Sequence, residues 1–454
     1  MTRRGRPRWS SDDAEIARLA VPAFFALLAE PMFLLADTAI VGYLGTPELA
    51  GLAIAASVLQ TIVGLAVFLA YGTTATVARH LGADDLAGAL RSGVSGVWLG
   101  LGLGAVATLV FTAGAEPIIG WFGTSREIEE HAVTYLRVSA FGLPAMLMIL
   151  ATTGILRGLQ DVRTPLVVAV VANLANIVLN LVLVYGVGLG VAGSALGTVI
   201  AQWGAAIVLS GVVVCAARQH DSSLRPAPAE ILRTARTGVP LFFRTLTLRA
   251  ALLLGVVVAA TMPAASVDAH QITFSVVSTL AFGLDAIAIA GQAMTGRYLG
   301  AGDVVGARRV THRMVKWGTW SGVIAAAGVA AASPWLAHAF SGDSAVRDVS
   351  VAALLVAALI QPVSGIVFVL DGVLIGAGDG RYLAYAGLLT LLAYAPLALL
   401  VWWVGAGLAW LWAAYGALMV ARMLTLVLRE RSNAWLVTGI LRPAHAGEPL
   451  GEAQ

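Results

Sequence analysis

Two carboxylic acids lie inside the first long apolar stretch of this sequence, and their setting suits proton exchange. Glu30 and Asp37 are seven residues apart in a predicted helix over residues 16–43, so they share one helix face and lie about 10 Å apart along the axis. A carboxylate in a low-dielectric cavity can bind and release a proton near neutral pH. The alternative is that each acid is permanently paired. Arg18 is the only basic residue in the stretch, which favours a functional role for Asp37.

Three asparagines lie in another apolar stretch, predicted to be a helix over residues 164–186. Asn176 and Asn180 are four residues apart and therefore on one helix face, with Asn173 nearby. Because an amide offers both a donor and an acceptor, this pair suits a buried network with a carboxylate or with a bound molecule. The alternative, equally open, is hydrogen bonding between membrane helices, worth about 0.6–2 kcal/mol for each bond.

Opposite charges occur in two neighbouring apolar stretches of the second half. Arg244 and Arg249 lie within residues 236–262, and Asp285 lies within residues 266–296. An arginine and an aspartate on neighbouring helices are most simply a structural ion pair, because an isolated charge inside a membrane is costly. We therefore predict a pair between Arg249 and Asp285, with a direct part in function as the alternative.

The elements that carry these residues are predicted to be membrane-spanning helices. Of the 454 residues, 59% are hydrophobic and 12% are charged, whereas soluble domains carry about 25% charged residues. Several charge-free apolar runs exceed the roughly 18 residues that mark a candidate span. Twelve spans are predicted, near residues 16–43, 48–78, 90–114, 128–156, 164–186, 191–216, 236–262, 266–296, 308–332, 346–375, 382–404 and 407–428.

An internal repeat relates the two halves at a constant offset of 218 residues. Pro22 recurs as Pro240, Pro144 recurs as Pro362, and the segment 79–91 recurs as 297–309. Each half has an even number of spans, so the repeat is parallel, as in transporters built from two lobes. The predicted organisation is a cytoplasmic N-terminal segment (1–15), an N-lobe (16–216), a cytoplasmic linker (217–235), a C-lobe (236–429) and a cytoplasmic tail (430–454).

Charge distribution sets the expected orientation. Most of the 28 Lys and Arg residues fall in segments on the same side as the N-terminus, and such segments face the cytoplasm. We therefore expect a multi-pass protein of the inner (plasma) membrane with both termini in the cytoplasm.

Several function classes are excluded or disfavoured. The chain has one lysine, Lys316, and no GxxxxGK[ST] loop, which excludes ATP hydrolysis by that route. The histidines and Cys215 form no cluster with metal-ligand spacing, and no GxSxG nucleophile motif is present. The basic residues form no stripe interleaved with aromatic residues, the pattern that would indicate nucleic-acid binding. We predict no enzymatic activity, cofactor, metal site or nucleic-acid partner.

Several segments resemble a known transporter family. Residues 28–45 (LAEPMFLLADTAIVGYLG) resemble the first helix of multidrug and toxin extrusion (MATE) transporters, specifically the DinF branch. Residues 176–180 and 184–195, continuing through Thr198 and Gln202, resemble the fifth span of that branch and its entry into the sixth. Residues 297–303, 248–249 and 284–285 resemble its second-half signatures, and the resemblance covers all twelve spans.

The resemblance implies an all-α protein of two six-helix bundles in a V shape, with alternating access driven by a cation gradient. It implies that Asp37 is the proton acceptor of a cavity in the N-lobe. The residues that would line this cavity are Glu30, Asp37, Tyr135, Thr153, Asn176, Asn180 and Thr198. Many relatives have Asp at the position of Asn180, so in this chain only Asp37, with or without Glu30, can titrate.

The expected function is export of amphipathic or cationic small molecules in exchange for protons. The alternatives are a sodium-coupled exporter of the same type and a lipid-precursor flippase of the same superfamily. A membrane-embedded enzyme would need a polar catalytic cluster near one interface, and the sequence has none. We expect a monomer whose partners are a small-molecule substrate and the lipid bilayer.

Overall fold

The computed structural model describes residues 11–440, apart from the side chains of Glu30 and Phe33. The predicted segment 1–15 and tail 430–454 therefore lie partly outside the described residues. Within the described range the chain forms fifteen α-helices and no strand, which confirms the predicted all-α class. The helices are α1 (Ser11–Gly42), α2 (Thr46–Ala66), α3 (Phe68–Gly82), α4 (Leu86–Ala113), α5 (Ala115–Gly120), α6 (Arg126–Ala140), α7 (Leu143–Gly158), α8 (Arg163–Leu181), α9 (Gly190–Gln219), α10 (Pro228–Ala260), α11 (Ala264–Gly300), α12 (Val304–Phe340), α13 (Ser344–Gly376), α14 (Gly380–Val404) and α15 (Leu408–Arg431).

These helices account for up to twelve membrane spans. Eleven spans in the described residues are long and apolar enough to cross a bilayer, with α2 and α3 acting as one span. The twelfth is the pair α6 and α7, which is bent by 50°. Large apolar side chains such as Leu109, Ile324 and Leu359 are 70–79% exposed. Such broad apolar surfaces are typical of contact with lipid rather than water.

The backbone repeats at the same offset of 218 residues as the sequence. Residues 46–82, which form α2 and α3, correspond residue for residue to α11, and residues 126–158 correspond to α13. The repeated loops also share a helix cap. Asp85 accepts a hydrogen bond from the Gly88 N–H, and Asp303 accepts one from the Gly306 N–H, in each case satisfying a free donor of the first turn. The predicted parallel repeat of two six-span lobes is therefore confirmed.

Two helix boundaries differ from the predicted ones. Helix α1 is already helical at Ser11, the first described residue, five residues before the predicted span, and Asp12 and Asp13 lie in its first described turn, where acidic residues are favourable. The connection between the lobes covers only residues 220–227, which is shorter than the predicted linker 217–235. Pro228 begins α10, a position that proline favours.

The two lobes meet at the end of the bundle that holds Ser11 and Arg431, which we call the base. Helices α3 and α11 cross there so closely that a Cβ atom at Gly82 would overlap the carbonyl oxygen of Arg297. The equivalent Cβ at Gly300 would overlap the carbonyl oxygen of Arg79. Glycine is therefore required at both equivalent positions for the backbones to touch, as at many membrane helix crossings.

Ion pairs between α1 and the second lobe surround this crossing. Glu15 pairs with Arg297 at 2.8 Å, Asp12 pairs with Arg309 at 3.1 Å, and Asp13 pairs with Arg313. The first turns of α1 are therefore held to the second lobe by ion pairs, while its C-terminal part packs in the core of the first lobe.

Candidate functional site

Asp37 lies in a buried network that joins four helices of the first lobe. Its side chain is 2% exposed. Its Oδ1 atom accepts hydrogen bonds from Asn180 Nδ2 at 2.7 Å and from Ser194 Oγ at 2.6 Å. Its Oδ2 atom accepts one from the Tyr135 hydroxyl at 3.3 Å. All three donors are neutral, and no ion pair in the described part of the chain includes Asp37.

The network continues from Tyr135 through Thr198 to a second asparagine. Asn176 Nδ2 donates to Thr198 Oγ1 at 3.0 Å, and both side chains are buried. The Oδ1 atoms of Asn176 and Asn180 are buried without a hydrogen-bond partner. Since buried polar atoms are normally paired, these two amide oxygens beside a carboxylate have unused acceptor capacity that a bound ion, water or substrate could take.

The hairpin between α8 and α9 sets this geometry. Helix α8 ends in a π-helical turn at Val182–Gly186, and the chain then reverses through Gly188 and Gly190, whose φ angles of 78° and 56° suit glycine. The reversal sets the two helices antiparallel, so Ser194 lies beside Asn180 and Thr198 lies beside Asn176. The Tyr185 hydroxyl, in the π-helical turn, donates to the Ile40 carbonyl and ties the hairpin to α1.

The structure brings together most of the predicted site residues. Asp37, Tyr135, Asn176, Asn180 and Thr198 all lie in the hydrogen-bonded network. Thr153, on α7, makes no hydrogen bond to the network in the described structure, and the Glu30 side chain lies outside the described residues. Whether these residues bind a cation or a substrate stays a prediction.

Ser194 was missed by the sequence reasoning, although it makes the shortest hydrogen bond to Asp37. Its signal was available in the spacing, because Ser194 lies four residues before Thr198 and so shares its helix face. The opposite helix carries Asn176 and Asn180 at the same spacing.

The predicted ion pair of Arg249 with Asp285 is not formed. Among the described residues the buried pair of the second lobe is Arg244 with Asp371, and Arg422 approaches the same carboxylate at 3.5 Å. Arg249 is exposed, and its guanidinium faces Gly64 of the first lobe. The physical reason is that residues five apart point about 140° apart around a helix. Because Arg244 faces the interior of the second lobe, Arg249 points away from that interior.

Asp285 has other cationic neighbours. Arg157 of the first lobe and Arg244 of the second are the cations that act on it electrostatically. Asp371 was absent from the candidates, although it is an acid inside the apolar segment that became α13. Its position in a long apolar run was the signal that could have identified it.

A duplicated bundle of membrane helices with a buried polar network in one lobe is the architecture of a transporter for small molecules. The MatE family model matches residues 22–182 and 240–403, so the chain belongs to the MatE (multidrug and toxin extrusion) family of transporters. This membership confirms the predicted absence of enzymatic activity.

Relatives and solved structures agree with this assignment. The chain is 31% identical over 304 residues to DNA damage-inducible protein F of Escherichia coli K12, covering 65% of each chain. It is 28% identical to protein DETOXIFICATION 44, chloroplastic, of Arabidopsis thaliana, covering 93% of this chain and 83% of that protein. A multidrug resistance MATE family transporter in an outward-facing conformation superposes with a TM-score of 0.85 at 22% identity, covering 94% of this chain and 97% of that one.

Proposed function

We propose that this chain exports amphipathic or cationic small molecules in exchange for protons that bind Asp37. The supporting observation is a buried carboxylate that takes three hydrogen bonds from neutral donors and has no ion pair. An uncompensated charge inside a membrane costs several kcal/mol. A proton or a cationic substrate can each compensate it, so the two ligands compete for one negative charge. That competition gives the differential affinity on which antiport depends.

The hydrogen bonds indicate which oxygen takes the proton. Oδ1 already accepts a hydrogen bond from the side-chain N–H of Asn180. An amide N–H can only donate, so it could not accept a hydrogen bond from a proton on Oδ1. Oδ2 faces only the Tyr135 hydroxyl, which can rotate and accept instead. The hydroxyl groups of Thr198 and Ser139 lie within hydrogen-bonding reach of the Tyr135 hydroxyl. We therefore propose protonation at Oδ2, with the Tyr135 hydrogen turning toward Ser139.

Sodium is the second candidate for the coupling ion. The free Oδ1 atoms of Asn176 and Asn180 lie in the Asp37 network. Together with the carboxylate they offer the neutral and anionic oxygens that hard cations bind. A sodium ion at this position would compensate the same charge as the proton.

A lipid-precursor flippase has less support. Such a protein would need a strongly cationic central cavity. Arg244 is compensated by Asp371, and Arg137 is compensated by Glu116 at 2.7 Å. Arg249 makes no ion pair in the described structure, so it would be a single uncompensated arginine beside these two pairs.

The proposal includes an orientation and an assembly state. The base faces the cytoplasm of an inner-membrane protein, because the ion-pair arginines and most basic residues lie at that end. The chain acts as a monomer, with no cofactor other than its coupling ion.

Transport by Asp37→Asn tests the proposal. Ethidium transport into inverted membrane vesicles, the direction that corresponds to efflux from the cell, is measured at equal amounts of transporter, with a pH gradient or a sodium gradient imposed separately. Efflux driven by the pH gradient should be abolished in Asp37→Asn, because the amide cannot exchange a proton. Asp348→Asn, the same exchange at an exposed position, should transport normally. Undiminished pH-driven efflux by Asp37→Asn would refute proton coupling at this residue, and efflux driven by sodium alone would favour the second candidate.

A further inference from the structure

The second lobe contains a cavity at the position that corresponds to the Asp37 network of the first lobe. The cavity has a volume of about 150 Å³ and is bordered by five helices of that lobe, α10, α11, α13, α14 and α15. At the offset of 218, residues that line it replace members of the Asp37 network. The equivalences are Gly255 for Asp37, Tyr394 for Asn176 and Trp412 for Ser194.

The replacement changes the chemistry of the site from polar to aromatic. Gly255 has no side chain, and a Cβ built on it would lie 3.1 Å from the Tyr394 hydroxyl, so that hydroxyl occupies the space beside position 255 and no carboxylate is present there. No residue that lines the cavity is Asp, Glu, Lys or Arg. The walls include Phe274, Trp412 and Tyr415, together with one imidazole, His270.

Three nitrogen atoms at this cavity have no partner. Both ring nitrogens of His270 and Nε1 of Trp412 are buried without a hydrogen bond. The His270 ring lies 5.7 Å from the Trp412 ring and 6.2 Å from the Phe274 ring, measured between centroids. A neutral imidazole has one N–H donor and one acceptor nitrogen, and an indole N–H is a donor only. The cavity therefore offers two donors and one acceptor between aromatic faces.

We propose that this cavity binds an uncharged aromatic ring that carries a hydroxyl group, a ligand of the phenol type. A buried apolar cavity of about this volume holds one benzene ring. Once the His270 and Trp412 rings turn enough to bring these buried nitrogens to the cavity surface, a hydroxyl group can accept from Trp412 Nε1 and donate to the acceptor nitrogen of His270. Both hydrogen bonds satisfy groups that otherwise remain unpaired. The surrounding rings favour an edge-to-face or offset aromatic guest. A charged guest would find no counter-ion in the lining.

Binding to the full-length transporter in lipid nanodiscs tests the proposal. Phenol and toluene, which has a methyl group in place of the hydroxyl, are titrated and followed by saturation-transfer NMR. Both should bind saturably to the wild type, phenol more tightly. Trp412→Phe keeps the aromatic wall and removes the N–H donor, so phenol affinity should fall about two- to tenfold, the value of one neutral hydrogen bond, while toluene affinity stays unchanged.

Cavity filling supplies a second variant. Gly255→Val should abolish saturable binding of both probes, whereas Gly211→Val, where an added Cβ meets no atom within 4 Å, should bind both normally. Saturable phenol binding by Gly255→Val, equal losses of phenol and toluene in Trp412→Phe, or no saturable binding to the wild type would overturn the proposal. If Gly255→Val fails to fold, the Trp412→Phe comparison decides.

This site does not rest on coupling at Asp37, since it lies in the other lobe and is tested by binding alone. Asp37→Asn should therefore bind phenol as the wild type does. Loss of phenol binding in Asp37→Asn would contradict an independent site in the second lobe, whatever the outcome of the efflux experiment.

Discussion

Arg79 joins the two lobes at the base, and its replacement should allow the lobes to separate there more often. The side chain is fully buried. Its Nη1 donates to the carbonyls of Val437 and Gly439, each at 2.8 Å, and its Nη2 donates to the carbonyl of Ala377 at 2.6 Å. All three acceptors belong to the second half of the chain. The equivalent arginine, Arg297, binds two side chains of the first half, so each lobe holds the other.

The expected magnitude follows from these bonds. A hydrogen bond from a charged group contributes about 1.5–3 kcal/mol, and burying the guanidinium costs several kcal/mol, which offsets much of the total for three. Taking the net contribution as about one such bond, Arg79→Gln should destabilise the closed base by about 2 kcal/mol. That energy corresponds to a roughly thirtyfold change in the ratio of closed to open molecules.

Cysteine labelling measures this ratio. Ala78 is fully buried in α3, and its Cβ faces Gly296 of α11. In a Cys215→Ser background, Ala78→Cys should react slowly with a membrane-impermeant maleimide added to inverted vesicles, because the thiol is reached only when the base opens. Arg79→Gln should raise the labelling rate about thirtyfold if opening is fast relative to labelling.

The matched control is Arg381→Gln, since Arg381 is exposed at the base and makes no hydrogen bond in the described structure. It should leave the labelling rate unchanged. A labelling rate for Arg79→Gln within twofold of its parent, in protein that inserts normally, would refute the view that Arg79 holds the lobes together.

Two further predictions concern the base crossing and the buried charges of the second lobe. Gly82→Ala should also raise Ala78→Cys labelling, because the new methyl group overlaps a backbone carbonyl that cannot turn aside, whereas Gly72→Ala on the same helix meets no atom and should not. Equal labelling of the two variants would contradict the close crossing. Asp371→Asn removes the carboxylate that pairs with two buried arginines and should destabilise the protein by about 3–5 kcal/mol. A clear fall in melting temperature in detergent would be expected, and an unchanged one would contradict a structural role for the pair.

Much of the fold could be predicted because local signals repeat. Asp85 and Asp303 cap equivalent helices, and both caps could be read from aspartates at equal spacing in the sequence. The bend between α6 and α7 was harder to predict. Pro144 has an equivalent in Pro362, yet α13 is continuous there. The difference is Gly142, two residues before Pro144, which corresponds to Ile360 in the continuous helix. Glycine has a lower helix propensity than isoleucine, so a helix ends more readily at Gly142.

The site was predicted less completely because its contacts are long-range. Asn180 was identified from its spacing with Asn176, and Tyr135 through family resemblance. The spacing of Ser194 with Thr198 gives its helix face, but its contact with Asp37 also depends on how the hairpin after α8 reverses, which spacing does not determine. The pair of Arg244 with Asp371 joins residues 127 positions apart. Helical periodicity gives the face of each residue but not which helices become neighbours, so the sequence suggested the wrong arginine and the wrong acid.

The two lobes keep one backbone register and divide the chemistry between them. The position of Asp37 is a glycine in the second lobe, where aromatic side chains surround a cavity in place of a charge. The position of Thr153 is Asp371 in the second lobe, but there two arginines compensate the acid. A compensated charge costs little during a conformational change, whereas the charge of Asp37 has no compensating cation among the described residues. In the function we propose, a proton or a substrate bound at Asp37 compensates that charge and biases the movement of both lobes, so the second lobe needs no titrating residue of its own.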